Sequence, residues 1–204
     1  MRVIQYVRNY FCIEMNPEPR TVFFLGKPGS GKGTQAKLLA DHTGWTVLAS
    51  GDQFRAIATE DTPAGRKTKE EMEKGMLSPH WFAMYIYLKS LFSVEGTQNV
   101  IFDGFNRKLP EAELIRDSLS WLGRPFEVVN IAVSDDEVAK RLASRSAVSG
   151  RADDHYVAKR LEEYNTFTTE ALKLFEDMGV LIQINGEQTP EEVAADVVKA
   201  LNLA

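Results

Sequence analysis

Cysteine, histidine and long apolar runs are scarce in this chain of 204 residues. Its single cysteine excludes an internal disulfide framework and a multi-cysteine metal site. His42, His80 and His155 are scattered along the sequence and lack the spacing of metal ligands. No apolar run approaches the ~18 residues that a membrane-spanning helix needs. The sequence therefore predicts a protein without disulfides, without a histidine or cysteine metal centre and without a membrane partner.

Positive charge is also limited, because 24 lysines and arginines face 29 aspartates and glutamates and leave a formal net charge of −5. A protein that binds nucleic acid generally carries a basic surface, so this balance argues against a nucleic-acid partner. It leaves room for a small anionic ligand, because a local cluster of arginines binds phosphate even on an acidic protein. The chain length predicts one domain, since domains average roughly 150 residues.

Residues 1–19 differ in pattern from the rest of the chain. They contain two arginines and no acid before Glu14, and Pro17 and Pro19 mark their end. They lack a compact apolar stretch followed by small residues, which a secretory signal requires. We expect an N-terminal extension over 1–19, with a targeting peptide as the alternative, a single domain over 20–204 and a cytoplasmic location.

Strands and helices are predicted to alternate after this extension. Short apolar runs predict strands at 21–25, 45–48, 100–102, 127–133 and 180–184. Helical patterns cover 33–43, two short stretches within 51–74, then 79–92, 110–122, 135–145 and 153–178, and a last helix opens at Thr189; a polar loop is expected over 146–150. Strands separated by helices form βαβ units, so we expect an α/β fold with a five-stranded, mostly parallel sheet.

The sharpest motif is Gly-Lys-Pro-Gly-Ser-Gly-Lys-Gly-Thr at 26–34, which follows an apolar run and opens a helix. This is the context of a phosphate-binding loop, where main-chain N–H groups and a helix N-terminus bind phosphate. The predicted nucleotide-binding residues of this loop are Gly29, Ser30, Gly31, Lys32, Gly33 and Thr34. Lys32 would contact the β- and γ-phosphates, and the Thr34 hydroxyl would lie near magnesium. Gly33 departs from the strict pattern, which has serine or threonine directly after the lysine.

Asp103 ends the predicted strand at 100–102. Ligands in open α/β sheets bind beyond the carboxyl ends of the strands. Asp103 is therefore a candidate for holding Mg²⁺, directly or through water. The alternative is an acid that caps the following loop.

Several arginines follow strand ends or surround one loop: Arg55, Arg107, Arg141, Arg145, Arg151 and Arg160. Arg141 and Arg145 are four residues apart and share one helix face. Phosphoryl transfer requires neutralisation of charge on donor, transferred group and acceptor. The arginines thus favour an enzyme that brings two nucleotides together over a protein that only binds one.

These motifs, together with Ser-Gly-Asp-Gln-Phe-Arg at 50–55, Asp-Gly-Phe-Asn-Arg at 103–107 and Gly-Arg-Ala-Asp-Asp at 150–154, resemble the nucleoside monophosphate kinases of the adenylate kinase family. The resemblance covers nearly all of residues 20–202 and includes the glycine between the lysine and the threonine. It implies a P-loop fold, a helical region that binds the nucleoside monophosphate (NMP) at about 50–80, and a short lid at about 144–153. It also implies a monomer that reversibly transfers the γ-phosphoryl group of Mg·ATP to a nucleoside monophosphate, with AMP favoured.

The resemblance further implies residue roles. Lys32, Arg107, Arg145, Arg151 and Arg160 would surround the transferring group. The acceptor would be bound by Ser50, Arg55, Gly104, Arg107 and Glu111. Arg141 and Gln188 would lie at the ATP base, Thr34 and Asp103 would serve the magnesium, and Asp153 and Asp154 would steady the closed lid. Because the lid is short and has no cysteine, we expect no structural zinc.

Two departures from the family pattern concern positioning. Asn106 stands where the family usually has proline, which frees the main chain and predicts a less preorganised Arg107. Arg151 and Arg160 are about two residues closer than in the family, which predicts a change in the phase of Arg160 on its helix.

A third departure leaves the acceptor base open. Glu111 occupies a position where adenylate kinases carry glutamine, whose donor and acceptor match adenine N1 and N6. An ionised glutamate offers only acceptors and suits the N–H groups of guanine. It also suits the first turn of a helix on electrostatic grounds alone. A GMP-, CMP- or UMP-accepting kinase therefore remains an alternative, as does a P-loop kinase for a small metabolite.

Overall fold

The computed structural model describes residues 19–149 and 156–203. The described residues form a five-stranded sheet of order β2-β3-β1-β4-β5, in which every pair of neighbours is parallel. Its strands are β1 (Thr21–Gly26), β2 (Thr46–Ala49), β3 (Val100–Asp103), β4 (Phe126–Ala132) and β5 (Leu181–Asn185). The predicted α/β fold with a parallel five-stranded sheet is confirmed.

The helices that flank the sheet mostly begin and end within a few residues of the predicted bounds. They are α1 (Lys32–Thr43), α2 (Ser50–Ala58), α3 (Pro63–Glu73), α4 (His80–Leu91), α5 (Leu109–Trp121), α6 (Asp135–Ser149), α7 (Val157–Glu163), α8 (Thr169–Asp177) and α9 (Pro190–Ala200). Local chemistry explains several of these ends. Gly44 ends α1 with a φ of +74°, and Thr189 and Glu192 form a capping box at the start of α9.

Two predicted boundaries are wrong. The loop expected over 146–150 is helical as far as Ser149, because no glycine or proline interrupts α6 before Gly150. The helix expected over 153–178 begins at Val157 in the described residues and contains a π-helical turn, Tyr164–Thr168, between α7 and α8. Residues 1–18 of the predicted extension and residues 150–153 of the predicted lid, with Asp154, lie outside the described residues.

The side chains of β1 alternate between two apolar cores, one on each face of the sheet. Val22 and Phe24 of β1 pack with α1, α6 and α9 on one face of the sheet, whereas Phe23 and Leu25 pack with α4, α5 and α8 on the other. These four side chains are at most 2% exposed. Because side chains of a strand alternate between faces, both helix layers hold β1 in place and fix the position at which the β1–α1 loop begins.

Candidate active site

A cleft of about 980 Å³ opens at the carboxyl edge of the sheet. The β1–α1 loop and the β3–α5 loop form its floor, and α2, α3 and α4 form one wall. The remaining lining includes residues of α7, the π-helical turn and the β5–α9 loop. This volume lies near the top of the roughly 300–1,000 Å³ range of ligand pockets.

The main chain from the end of β1 to the start of α1 requires glycine at several points. Gly26 and Gly29 have φ of +145° and +77°. A Cβ at Gly26 would lie 2.6 Å from Ser30 Oγ and 2.7 Å from Ile131 O, and one at Gly29 would lie 2.9 Å from Leu142 Cγ. Gly31 caps α1 without a side-chain hydrogen bond. The first-turn N–H groups of α1 are therefore suited to phosphate oxygens.

Gly33 allows β3 to approach the phosphate loop closely. A Cβ at this position would lie 3.0 Å from Asp103 Oδ2. The other carboxylate oxygen, Asp103 Oδ1, is buried without a hydrogen-bond partner among the described residues. Thr34, one residue further, is exposed at the cleft. A buried carboxylate oxygen and a threonine hydroxyl beside a phosphate loop form a hard-oxygen donor set, which fits Mg²⁺ shared with a nucleotide. The departure at Gly33 thus has a steric reason.

The two lysines of the loop point to different partners. Lys27 Nζ lies 2.6 Å from Asp135 Oδ1. Lys32 Nζ lies 3.5 Å from the carbonyl oxygen of Lys27 and lines the cleft. The structure therefore places Lys32 at the cleft and ties Lys27 to α6.

At the start of the β3–α5 loop, the Gly104 carbonyl oxygen accepts two hydrogen bonds. Ser50 Oγ donates to it at 2.8 Å and Arg107 Nε donates to it at 2.7 Å. A Cβ on Gly104, whose φ is +75°, would lie 2.8 Å from Arg107 Nη2 and 3.0 Å from Ser50 Oγ. The predicted acceptor residues Ser50, Gly104 and Arg107 are thus packed directly against each other.

Asn106 adopts a left-handed conformation with φ of +58°. Its side chain is buried, and neither amide atom has a hydrogen-bond partner in the described part of the chain. The sequence predicted a loosened Arg107 at this point, but the structure differs. The main chain of Arg107 is held on both sides, because its N–H donates to Glu111 Oε2 at 2.8 Å and its carbonyl accepts from Thr168 Oγ1 at 3.0 Å.

Glu111 is buried although it lines the cleft. It is 7% exposed and lies in the first turn of α5. Burial raises the pKa of its carboxyl group, and the hydrogen bond from the Arg107 main chain and the charges of Arg107 and Lys108 oppose that rise. Glu111 therefore both holds the main chain just before α5 and lines the cleft.

Arg141 connects three segments at the other end of the cleft. Its Nε donates to Glu137 Oε1 at 2.8 Å, its Nη1 to the Ser30 carbonyl at 3.3 Å and its Nη2 to the Gly186 carbonyl at 2.8 Å. Gln188 also lines the cleft and donates to Asp196 Oδ2 at 2.8 Å. The contacts of Arg141 fix its guanidinium plane beside the phosphate loop.

The remaining predicted arginines divide into two groups. Arg55 lines the cleft and donates to Asp52 Oδ1 at 2.5 Å. Arg160 also lines the cleft, and its Cγ would lie 3.3 Å from a Cβ on Gly75, so α7 approaches the end of α3. Arg145 lies in α6, but its side chain is outside the described part, as is the whole of Arg151.

Sequence reasoning missed part of the lining. Apolar side chains of the α2–α4 wall form one end of the cleft; they are Phe54, Met72, Met76, Leu77 and Met84. The π-helical turn and the residue before it contribute Glu163, Tyr164 and Thr168. The methionines and the leucine on short polar helices were only a weak sequence signal for an apolar pocket. The π-helical turn has no sequence signal, because the helical pattern continues through it. π-Helical turns are frequent at functional sites.

Comparison with known proteins identifies the family. The adenylate kinase model matches residues 24–180. An adenylate kinase of Thermus thermophilus is 38% identical over 187 residues, which cover 90% of this chain and 98% of the relative. The chain belongs to the adenylate kinase family. Adenylate kinase 1 of a Nostoc species is 36% identical over 183 residues (88% and 97%), and the adenylate kinase of Parabacteroides distasonis is 34% identical over 184 residues (89% and 97%).

Membership of the adenylate kinase family confirms the predicted class of enzyme, a nucleoside monophosphate kinase. The phosphate loop and the arginine-bearing β3–α5 loop lie on one cleft, as an enzyme that joins two nucleotides requires. No helix in the described ranges is long and apolar enough to cross a bilayer. The expectation that the lid holds no zinc concerns a segment that lies partly outside those ranges, and it stays a prediction.

Proposed function

We propose that this adenylate kinase family member transfers the γ-phosphoryl group of Mg·ATP reversibly to AMP, giving two molecules of ADP. One observation carries the proposal: a single cleft has a phosphate loop at one end and an arginine-bearing, apolar-walled pocket at the other. The names of the relatives support the same acceptor, because each is an adenylate kinase.

The ATP end is assigned to the phosphate loop and its neighbours. The N–H groups of Gly29 to Thr34 would bind the β- and γ-phosphates, with the Lys32 ammonium as a mobile cation. The Arg141 guanidinium, held by three hydrogen bonds, would stack on the ATP adenine, and Gln188 would border that base. Rigid positioning of Arg141 lowers the entropy that binding costs.

The acceptor end is assigned to the α2–α4 wall and the β3–α5 loop. Arg55 and Arg107 would bind the phosphate of AMP, since guanidinium groups match phosphate oxygens bidentately. Ser50 and Gly104 shape this end through the shared Gly104 carbonyl. The base would enter the apolar lining next to Glu111.

The transfer step needs positioning and charge neutralisation and no general base, because the attacking phosphate oxygen of AMP is already ionised. Lys32, Arg107 and Arg160 would neutralise charge that spreads over the transferring group, with Arg145 and Arg151 added by the lid. Thr34 and Asp103 would hold Mg²⁺ through bridging water, and the ion would supply positive charge to the phosphates.

Closure of two regions would complete the site. The NMP-binding region at about 50–80 and the lid at about 144–153 would close over the nucleotides and expel water, which limits hydrolysis of ATP. The proposal includes a monomer, because the described part of one chain supplies both ends of the cleft. It also includes a cytoplasmic location and a lid without structural zinc. Its partners would be the two nucleotides, with neither nucleic acid nor membrane.

The test is an acceptor panel of AMP, GMP, CMP and UMP with Mg·ATP, in which ADP formation is measured. AMP is expected to have the highest kcat/KM. A higher kcat/KM for another monophosphate would reassign the acceptor within the family, and no transfer to any of the four would overturn the proposed function. A sedimentation or light-scattering measurement checks the monomer.

A further inference from the structure

In the proposed function, the acceptor's base binds in the part of the cleft that Glu111 lines. The neighbouring lining from α2, α3 and α4 is apolar, with Phe54, Met72 and Met84 among its members. Glu111, in α5, lines the same cleft and is 7% exposed. A polar group in an apolar pocket determines which hydrogen-bonding edge of a planar ligand is accepted.

The orientation of the carboxyl group is fixed on one side. Oε2 of Glu111, the third residue of α5, accepts the N–H of Arg107 at 2.8 Å. This oxygen therefore acts as an acceptor toward the main chain, and a proton on the carboxyl group belongs on Oε1. An oxygen has two lone pairs, so Oε2 is able to accept a second hydrogen bond.

The chemistry of adenine sets the protonation state that fits. Its N1 is an acceptor and its N6 amine is a donor. An ionised carboxylate has only acceptors, so it would place a lone pair against N1 in an apolar pocket. A neutral carboxylic acid donates from Oε1–H to N1 and accepts from N6–H at Oε2.

We propose that Glu111 binds AMP as a neutral carboxylic acid, so that AMP binding takes up a proton and acceptor preference depends on pH. The inference rests on the proposed function, because it concerns the base of that acceptor. The proton comes from solvent when AMP binds and returns to solvent when the nucleotide leaves, so no covalent bond of the nucleotide changes.

The surroundings of Glu111 favour the protonated form of its carboxyl group. Burial is the largest influence on its pKa and raises it, while Arg107 and Lys108 lower it. Both cations have other partners: Arg107 Nε donates to the Gly104 carbonyl, and Lys108 Nζ donates to the Ser78 carbonyl at 3.1 Å. The other ionisable groups that line this cleft are Lys32 and Lys37 of α1, Asp52 and Arg55 of α2, Tyr87 of α4, Asp103 of β3, Arg141 of α6, Arg160 and Glu163 of α7, and Tyr164.

Guanine tests the ionised state of Glu111, as adenine tests the neutral state. Its N1–H and N2 amine are both donors, which an ionised carboxylate accepts. Loss of the proton from Glu111 should therefore weaken the binding of AMP and strengthen the binding of GMP. The ratio of kcat/KM for AMP to that for GMP isolates this effect, because the phosphate of each nucleotide titrates alike, with a second pKa of about 6.

The experiment measures this ratio from about pH 5.5 to about pH 8.5 in the wild type, in Glu111→Gln and in Glu113→Gln. Glutamine keeps an acceptor for the Arg107 N–H but cannot lose a proton, and Glu113 is an exposed residue of the same helix. The wild-type and Glu113→Gln ratios should fall with pH by up to about tenfold per unit. The Glu111→Gln ratio should stay constant and favour AMP.

Calorimetry of AMP binding in two buffers of different ionisation enthalpy counts the protons directly. At about pH 7.5 the wild type should take up as much as about one proton more than Glu111→Gln. A wild-type ratio that does not change with pH, or equal proton uptake in both proteins, would overturn the inference and leave AMP as the acceptor. Absence of transfer to AMP at every pH would instead overturn the proposed function. The wild-type pH series alone decides the matter if Glu111→Gln fails to fold.

Discussion

At the phosphate-loop end of the cleft the main chain forms the site, because Gly26 and Gly29 leave no room for a Cβ and a Cβ at Gly33 would lie 3.0 Å from Asp103 Oδ2. At the acceptor end the side chains of Arg107 and Glu111 form the contacts that hold the loop. The first end binds phosphate, which every nucleotide carries, and the second must distinguish one base from another. A main-chain site suits the common group, and side chains suit the variable one.

The largest effect is expected from Lys32→Met at the phosphate-loop end. Loss of its ammonium group should lower kcat by about 10²–10³-fold, because this charge stabilises the transition state. Lys27→Met is the matched control, since Lys27 pairs with Asp135, and it should change kcat by less than about threefold. Steady-state ADP formation and thermal melting measure both. Near-normal activity of Lys32→Met would remove the assignment of the loop.

A smaller effect tests the main chain itself. Gly33→Ala places a methyl group 3.0 Å from Asp103 Oδ2 and should separate β3 from the phosphate loop. We expect kcat to fall by about tenfold, although alanine in a helix normally stabilises by about 0.5–1 kcal/mol. Gly96→Ala, where a Cβ meets nothing within 4 Å, is the control. Unchanged kcat in Gly33→Ala would show that this close approach is not needed.

At the acceptor end, two substitutions of Asn106 separate the effect of its main-chain conformation on stability from the effect of its side chain. Asn106→Gly adopts φ of +58° without strain, whereas Asn106→Ala must hold a left-handed conformation. The alanine variant should be about 1 kcal/mol less stable than the glycine variant, or about 2–4 °C lower in Tm. Equal Tm values in a thermal melt would mean that the loop relaxes to another conformation.

The smallest effect concerns the pH dependence of stability without nucleotide. Burial raises the pKa of Glu111 above 4.5, so the folded state holds this proton more tightly than the unfolded state. The unfolded state then binds fewer protons, and the free energy of unfolding falls as pH rises above about 4.5 toward the folded-state pKa. Relative to Glu111→Gln, the wild type should therefore lose stability over this window. A constant difference in denaturant melts across that range would contradict the raised pKa.

Much of the site was predictable because it follows short-range rules. The phosphate loop was visible as glycines after an apolar run, and Asp103 as an acid at a strand end. The helical course of residues 146–149 was missed because Ser146 and Ser149 suggested a loop, although Ala147 favours a helix and no glycine or proline occurs before Gly150. The π-helical turn was missed because it depends on packing of Tyr164 and Thr168 against β4 and the β3–α5 loop.

By itself the sequence determined the order of strands and helices along the chain, the phosphate loop and the family, because these depend on local composition and spacing. Only the tertiary structure decided that Gly33 faces Asp103, that Arg107 is held from both sides and that Glu111 is buried at the acceptor end. Such contacts join residues distant in the chain or set burial, and side-chain chemistry follows from the resulting distances and loss of water.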